Sequence, residues 1–173
     1  YSLRPAHYMY FHNEAHIHRY WMLEEKEHTD NFKETVFHVK HLVIESIQKQ
    51  LLSDVPISTM LSGGLDSSII TAIASQYIND LSTYSITYED QEKYFQSYAY
   101  QTTMDDDYIE EMIHRYHSNH HKIILTQMDL INALKEALIA RDMPGMADID
   151  SSFLLFSKQI SQHHIVCLSG ECA

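Results

Sequence analysis

The stretch from Leu61 to Ser68, LSGGLDSS, follows a short apolar run that begins at Val55, and residues 67–77 after it repeat apolar side chains at helical spacing. Gly63 and Gly64 are consecutive glycines, which can take positive φ and let backbone N–H groups approach an anion closely. A helix that begins there adds the positive end of its dipole. The stretch therefore predicts a strand, an anion-binding loop and a helix.

Asp66 places a carboxylate inside this loop, where it would repel a bare phosphate. A Mg²⁺ that joins Asp66 to pyrophosphate oxygens would turn that repulsion into attraction. The loop does not match G-x-x-x-x-G-K-[ST], so it is not a Walker loop. The same residues also fit an ordinary Gly-Gly turn in which Asp66 is the N-cap of the helix. The residues alone leave both interpretations open.

Strand-like and helix-like segments alternate along the chain. Helical patterns cover residues 30–52, 67–77, 105–117, 126–140 and 148–163, and strand patterns cover 55–61, 81–88, 122–125 and 165–168. Residues 1–22 are aromatic and predict a hairpin around Asn13-Glu14, and Thr126 and Asp129 are spaced as a capping box. The alternation predicts an α/β fold with a mostly parallel sheet and helices on both faces. Such sheets bind ligands beyond the carboxyl ends of their strands, where both glycine motifs, 62–68 and 169–171, are expected.

Composition excludes several classes of function. The chain has 173 residues, with 12 Lys and Arg against 24 Asp and Glu, and its net charge is −12 with histidine neutral. A surface this acidic repels nucleic-acid backbones and anionic membranes, and no apolar run reaches the roughly 18–20 residues that a bilayer span needs. We therefore expect no nucleic acid and no membrane as partners. Cys167 and Cys172 are too few for a disulfide framework, which favours a cytoplasmic protein.

Both glycine motifs resemble those of known enzymes. Residues 62–67, SGGLDS, resemble the S-G-G-x-D-S loop of the PP-loop ATP pyrophosphatases, which cleave ATP between its α and β phosphates. Residues 168–173, LSGECA, resemble the L-S-G-E-G-A-D-E segment of the asparagine synthetases, with Cys172 in place of the commoner glycine. Residues 141–152 resemble that family's segment near the substrate pocket, and Tyr20-Trp21 resembles the Tyr-Trp at the entry to its synthetase domain.

The resemblance implies an adenine-nucleotide α-hydrolase-like fold that is a fragment of a larger synthetase domain. Residues 1–29 would be an entry segment from an absent glutaminase domain, and residues 30–173 would be the ATP-pyrophosphatase domain, truncated at its C-terminal side. The implied activity is ATP-dependent amidation of aspartate to asparagine through β-aspartyl-AMP, with ATP and Mg²⁺ as cofactors. The expected partners are aspartate and ammonia or glutamine as substrates, the glutaminase domain of the same parent, and a second copy in a homodimer. Because the resemblance puts a second metal-binding Asp after Ala173, the chain by itself is not expected to catalyse the full reaction.

The resemblance also implies roles for single residues. Asp66 would hold Mg²⁺, and Glu171 would be catalytic, tied to the intermediate and its attack by ammonia. Asp142 and Asp148 would lie near the amino-acid substrate. The expected ligands of ATP and its pyrophosphate are Leu61, Ser62, Gly63, Gly64, Asp66, Ser67, Ser68, Ile86, Ser169 and Gly170.

Structural alternatives accompany several of these roles. Leu61 and Ile86 would serve equally as ordinary core side chains, and Glu171 as a solvated surface group. Asp148 would also suit a helix N-cap, and the acidic run at 105–107 is interpreted as the start of a helix.

Two other functions are compatible with the same motifs. β-Lactam synthetases and lasso-peptide cyclases resemble asparagine synthetase but join an internal amine to an activated carboxylate. A nucleotide-binding regulatory module would keep the fold and lose turnover. The acidic charge argues against the tRNA-modifying branch of the pyrophosphatases, which must bind a polyanion.

Overall fold

The computed structural model describes residues 3–97 and 104–171. It divides into two compact units, Tyr1–Val39 and Lys40–Ala173. The first unit contains an antiparallel hairpin of β1 (His7–His12) and β2 (Glu14–Arg19). Its turn is made at Asn13, whose φ of +63° is a left-handed conformation that asparagine tolerates better than most residues. The hairpin predicted around Asn13-Glu14 is confirmed.

Helix α1 (Phe32–Gln50) begins in the first unit and ends in the second. The Asn31 side chain accepts hydrogen bonds from the backbone N–H groups of Lys33 and Glu34 at 3.0 and 3.2 Å. The Glu34 carboxylate in turn accepts from the Asn31 N–H at 2.9 Å. This reciprocal capping box fixes the helix start and confirms the helix predicted over residues 30–52.

A parallel sheet forms the centre of the second unit. Its strands lie side by side in the order β5-β4-β3-β6, and every neighbouring pair is parallel. The strands are β3 (Ile57–Met60), β4 (Ser82–Tyr88), β5 (Asn119–Leu125) and β6 (Val166–Leu168). The helices that connect them are α2 (Leu65–Ala74), α3 (Gln91–Tyr94), α4 (Asp106–Tyr116), α5 (Gln127–Arg141) and α6 (Ala147–Ile160).

Helices cover both faces of this sheet. On one face the hydroxyl of Thr71, from α2, lies 2.9 Å from that of Thr59 on β3. On the other face Phe156 and Ile160 of α6 form a buried cluster with Tyr84 of β4. Partly buried hydrophobic residues extend this cluster: Met60, Ile86, Ile123 and Cys167. Successive strand residues point to opposite faces, so the predicted α/β fold with helices on both faces is confirmed.

Hydroxyl groups fill much of the sheet face that lies opposite to α6. His120 of β5 joins two of them, because its Nδ1 lies 2.9 Å from Thr83 Oγ1 and its Nε2 lies 3.0 Å from Ser85 Oγ. A buried hydroxyl is costly unless it is hydrogen-bonded, so these pairings explain how a hydroxyl-rich strand occupies the interior. Ser151 of α6 departs from this rule, since its buried Oγ has no hydrogen-bond partner in the part of the chain that the structure describes.

Some element boundaries differ from those predicted. β5 begins at Asn119 rather than at residue 122, because it pairs with β4 along its whole length. α2 begins at Leu65 rather than at Ser67, because Gly64 takes the extended N-cap conformation. The capping box predicted at the start of α5 is confirmed, with Thr126 Oγ1 accepting from the Asp129 N–H at 3.1 Å and Asp129 accepting from the Thr126 N–H at 2.9 Å.

Candidate functional site

The loop between β3 and α2 folds around the hydroxyl of Ser67. Ser67 Oγ donates to the carbonyl oxygen of Gly64 at 3.1 Å and accepts from the backbone N–H of Ser62 at 3.2 Å. It also lies 3.0 Å from Ser62 Oγ. Ser67 is buried, while Ser68 in the next position is half-buried. The Ser67 hydroxyl therefore holds the shape of the loop, and its expected contact with pyrophosphate stays a prediction.

Gly63 brings this loop against the start of α4. Its φ of +78° lies in the region that L side chains rarely adopt, and a Cβ there would stand 2.7 Å from the carbonyl oxygen of Asp105. Gly64 is less constrained, because its Cβ would meet Ser62 Oγ at 3.5 Å, an ordinary contact. The first glycine thus allows both the turn and the close approach of two chain segments.

Asp66 lies in the first turn of α2 and is exposed. The N-cap of this helix is Gly64, so the alternative in which Asp66 caps the helix is wrong. A carboxylate in a first turn is favoured by the positive end of the helix dipole. The same end carries backbone N–H groups without intrahelical partners, which suit an anion bound beside them.

The second glycine motif meets the first at this point. Gly170 follows β6, and a Cβ built on it would stand 2.9 Å from the Cβ of Asp66 and 3.1 Å from the backbone nitrogen of Ser67. Glu171 is exposed, and its N–H donates to Ser169 Oγ at 3.1 Å. β3 and β6 are neighbouring parallel strands, so their carboxyl ends bring the two motifs to one edge of the sheet.

Leu61 and Ile86, expected to line an adenosine site, are placed as core residues. Leu61 is completely buried, and its N–H donates to the carbonyl oxygen of Tyr84 at 2.7 Å. Ile86 is half-buried and packs against the cluster formed with α6. Both side chains stabilise the second unit, and a role toward a nucleotide stays a prediction.

The connection from α5 to α6 carries the acidic residues expected near a substrate. Asp142 ends α5 with a φ of +63°, and Asp148 lies in the first turn of α6. The N-cap of α6 is Met146, so the alternative in which Asp148 caps the helix is wrong. Asp150 forms an ion pair with Arg141 at 2.6 Å and closes the connection between the two helices.

A tyrosine at the end of β4 ties this connection to the sheet. The hydroxyl of Tyr88 donates to Ser152 Oγ at 2.9 Å, and the hydroxyl of Ser152 donates to the carbonyl oxygen of Asp148 at 2.8 Å. Tyr88 is the last residue of β4, so these hydrogen bonds fix the start of α6 at the carboxyl edge. Sequence analysis gave no role to Tyr88 and included Ser152 only as the last residue of the segment 141–152.

Residues 38–173 match the asparagine synthase family. The chain belongs to this family. It is 47% identical, over 99% of its length, to asparagine synthetase [glutamine-hydrolyzing] 3 of Bacillus subtilis, of which it covers 29%. It is 30% identical, over 73% of its length, to asparagine synthetase B of Escherichia coli, of which it covers 24%. The chain thus spans less than a third of these relatives.

Among solved structures, the glutamine-dependent NAD+ synthetase of Acinetobacter baumannii in complex with ADP is similar over 82% of this chain and 26% of its own. That similarity has a TM-score of 0.45 and 13% identity. The family match confirms the resemblance inferred from the two glycine motifs.

Asp105 lies next to the loop between β3 and α2, whereas sequence analysis assigned it only to the start of a helix. It does occupy the N-cap of α4, but its side chain makes no capping hydrogen bond. Its backbone touches Gly63, as described above. Asp106 next to it pairs with Lys122 of β5 at 3.0 Å. The only sequence signal for the proximity of Asp105 to the loop was an acidic run before a helix. Such runs are common because acidic side chains interact favourably with the helix dipole.

Burial shifts the proton affinity of two groups behind the site. It lowers the pKa of His120 to about 4, with smaller contributions from the neighbouring His121 and Lys122, so this histidine is neutral near pH 7. It raises the pKa of the Cys167 thiol, as expected for an inert cysteine in a strand.

Residues 3–97 and 104–171 contain no cluster of three or more His, Cys, Asp or Glu side chains suited to a metal ion. None of the helices within these ranges has the length and apolar character that crossing a membrane requires.

Proposed function

We propose that the full-length protein converts aspartate to asparagine at the expense of ATP, through β-aspartyl-AMP, and releases AMP and pyrophosphate. The observation that carries this proposal is the contact of Gly170 with Asp66, because it joins the two glycine motifs in one site. The family match and the relatives named above support it. ATP binding at this edge also follows the rule that parallel sheets bind ligands beyond the carboxyl ends of their strands.

Activation of the carboxylate explains why ATP is needed. An aspartate carboxylate resists attack by ammonia because an oxide or hydroxide is a poor leaving group. In the first step a β-carboxylate oxygen attacks the α-phosphorus, and the bond to the bridging oxygen of pyrophosphate breaks. In the second step ammonia attacks the acyl carbon, AMP leaves, and a proton is lost from nitrogen. Both steps depend chiefly on positioning and on charge stabilisation.

The loop from Ser62 to Ser68 would hold the pyrophosphate. The start of α2 offers backbone N–H groups and the positive end of a helix dipole, and Gly63 lets the chain turn closely there. Asp66 would hold Mg²⁺, which would supply positive charge that offsets the negative charge of the phosphates. The exposed carboxylate of Asp66 fits such a cation, since Mg²⁺ is commonly held by one or two carboxylates together with substrate phosphates.

The residues beside this loop would handle the amino acid. Gly170 lies against the loop, and Ser169 and Gly170 would contact the nucleotide. Glu171, the next residue, would act on the intermediate. Asp148, and Asp142 on the same connection, would offer carboxylates to the α-ammonium group of aspartate. A carboxylate paired with an ammonium group is the favourable charge arrangement for this end of the substrate.

The source of ammonia lies outside residues 1–173 in this proposal. A glutaminase domain of the same parent would release it from glutamine, as the names of the relatives suggest for those proteins. A homodimer and a cytoplasmic location belong to the same proposal.

Pyrophosphate release by the full-length protein tests the proposed function. The assay supplies ATP, Mg²⁺ and ammonium, with and without aspartate. We expect release that depends on aspartate and is matched by asparagine formation. Release that another carboxylate stimulates and aspartate does not would indicate a different acceptor, as in the β-lactam synthetases and lasso-peptide cyclases. ATP binding without any release would indicate a regulatory module.

A further inference from the structure

β4 extends past the neighbouring strand at the edge where the glycine motifs meet. β3 ends at Met60, and the next N–H, that of Leu61, donates to the carbonyl oxygen of Tyr84. β4 continues from Tyr84 to Tyr88, which at about 3.3 Å per residue makes a projection of roughly 13 Å. The projecting part of β4, residues 85–88, therefore lies beside the loop that follows β3. We call these residues the wall.

The start of α6 is held on this wall. Tyr84, Ile86 and Tyr88 share one face of β4, and α6 packs on that face through Phe156 and Ile160. At its start the contact is polar, because the Tyr88 hydroxyl donates to Ser152 Oγ.

The hydrogen bonds at this contact have one consistent direction. The Tyr88 hydroxyl donates to Ser152 Oγ, and the Ser152 hydroxyl donates to the backbone carbonyl of Asp148. Each hydroxyl donates once, so Tyr88 acts on the backbone of Asp148 through Ser152. The Asp148 side chain is exposed in the first turn of the helix, where it is available to a ligand.

We propose that Tyr88 is a positioning residue for the amino-acid substrate, because its hydroxyl holds the first turn of α6, and Asp148 with it, at the wall beside the loop. This inference rests on the proposed function, in which Asp148 meets the α-ammonium group of aspartate. Tyr88 itself does not touch the reacting atoms. It acts on the affinity for the amino acid and leaves the phosphate loop unaffected.

β4 offers a matched control for this role. The hydroxyl of Tyr84 also joins β4 to the segment after α6, since it lies 2.9 Å from His164 Nδ1. Tyr84→Phe therefore removes the same atom from the same face of the same strand, at the far end of α6 from Asp148. Both substitutions remove one hydrogen bond, and thermal unfolding reports the stability of each variant.

The experiment measures KM for aspartate and KM for ATP in pyrophosphate release by the full-length protein. We expect Tyr88→Phe to raise KM for aspartate by roughly three- to tenfold, the effect of one neutral hydrogen bond, and to change KM for ATP by less than about twofold. Ser152→Ala should have the same effect, and the double variant should be no worse than either single variant. Tyr84→Phe should leave both KM values within about twofold of the wild type.

Three outcomes would overturn the inference. One is an unchanged KM for aspartate in Tyr88→Phe, and another is an equal rise for ATP and aspartate. The third is a Tyr84→Phe variant that behaves like Tyr88→Phe, which would make the effect one of stability alone. In each case a wild type whose release depends on aspartate leaves the proposed function intact. A wild type without that dependence overturns both the function and the inference.

Discussion

Gly170 and Asp66 lie in direct contact at the carboxyl edge of the sheet, one just after β6 and the other in the first turn of α2. A Cβ on Gly170 would stand 2.9 Å from the Cβ of Asp66, closer than such atoms approach in proteins. The nearest atoms belong to Asp66 and to the backbone of Ser67, which cannot move aside as the end of a flexible side chain can. The absence of a side chain at Gly170 therefore allows the two motifs to meet.

Gly170→Ala should separate them. We expect a loss of stability of about 1–3 kcal/mol, typical of overpacking, and a fall in pyrophosphate release of at least about tenfold. Urea unfolding measures the first effect. Gly64→Ala is the control for stability, since its Cβ meets Ser62 Oγ at 3.5 Å; a cost for Gly64→Ala as large as that for Gly170→Ala would contradict the steric explanation.

Asp66→Asn tests the proposed metal ligand. It keeps the size of the side chain and removes its charge, so we expect pyrophosphate release to fall by at least about a hundredfold at millimolar Mg²⁺. The loss of stability should be small, about 0.3–1 kcal/mol, because the carboxylate interacts with the dipole at the start of α2.

Asp107→Asn is the matched control for this substitution. Asp107 also lies in the first turn of a helix, α4, and is exposed. It should show the same small loss of stability with activity within about twofold of the wild type. If both variants lost activity equally, the effect would belong to the charge of the whole surface and not to Asp66.

The loop and the sheet could be predicted from the sequence because their signals are local. A strand, two glycines and a helix pattern stand next to one another at 55–77, and the order of strands and helices fixes a parallel sheet. The contact of Gly170 with Asp66 then follows from the common edge of parallel strands.

Other features depend on tertiary contacts and left no such signal. The start of β5 was missed because His120 and His121 do not look like interior residues. The structure half-buries His120, which hydrogen-bonds to Thr83 and Ser85, and His121 stacks on Tyr84 with ring centroids 4.8 Å apart. Asp105 was assigned only to a helix start. Its contact with the loop was missed because that contact depends on the backbone of Gly63, far away in the sequence.

His120 should make stability depend on pH. Its pKa falls from 6.5 in the unfolded chain to about 4 in the folded protein, because burial disfavours the charged ring. Between these values the unfolded chain binds more protons, so the free energy of unfolding decreases as the pH falls through this window. Solvent screening at this half-buried site reduces the free energy that corresponds to the shift. We therefore expect the free energy of unfolding to fall by about 1–2 kcal/mol.

Urea unfolding of the wild type and of His120→Gln between pH 4 and pH 7 checks this dependence. The variant cannot titrate at this position, so its stability should fall less steeply with decreasing pH than that of the wild type. Equal slopes for the two proteins would assign the pH dependence to other groups.

Thr59 of β3 and Thr71 of α2 form a buried hydroxyl pair between the two elements that the loop joins. Thr59→Val leaves the Thr71 hydroxyl without its partner and should cost about 1–3 kcal/mol, whereas Thr59→Val with Thr71→Val should be nearly as stable as the wild type. A double-mutant cycle by urea unfolding gives the coupling. Additive losses in the double variant would mean that the hydroxyls do not depend on each other.

Glu171→Gln separates binding from chemistry at the second motif. The exposed carboxylate follows Gly170 and is proposed to act on the intermediate when ammonia attacks, where a general base contributes about a hundredfold or more. We expect asparagine formation by the full-length protein to fall by about that factor, while the affinity for ATP, measured by calorimetry, stays within about twofold of the wild type. Glu110→Gln, an exposed position on α4, is the control and should leave both quantities unchanged. A parallel loss of ATP affinity in Glu171→Gln would assign this carboxylate to the structure of the nucleotide site instead of to the attack by ammonia.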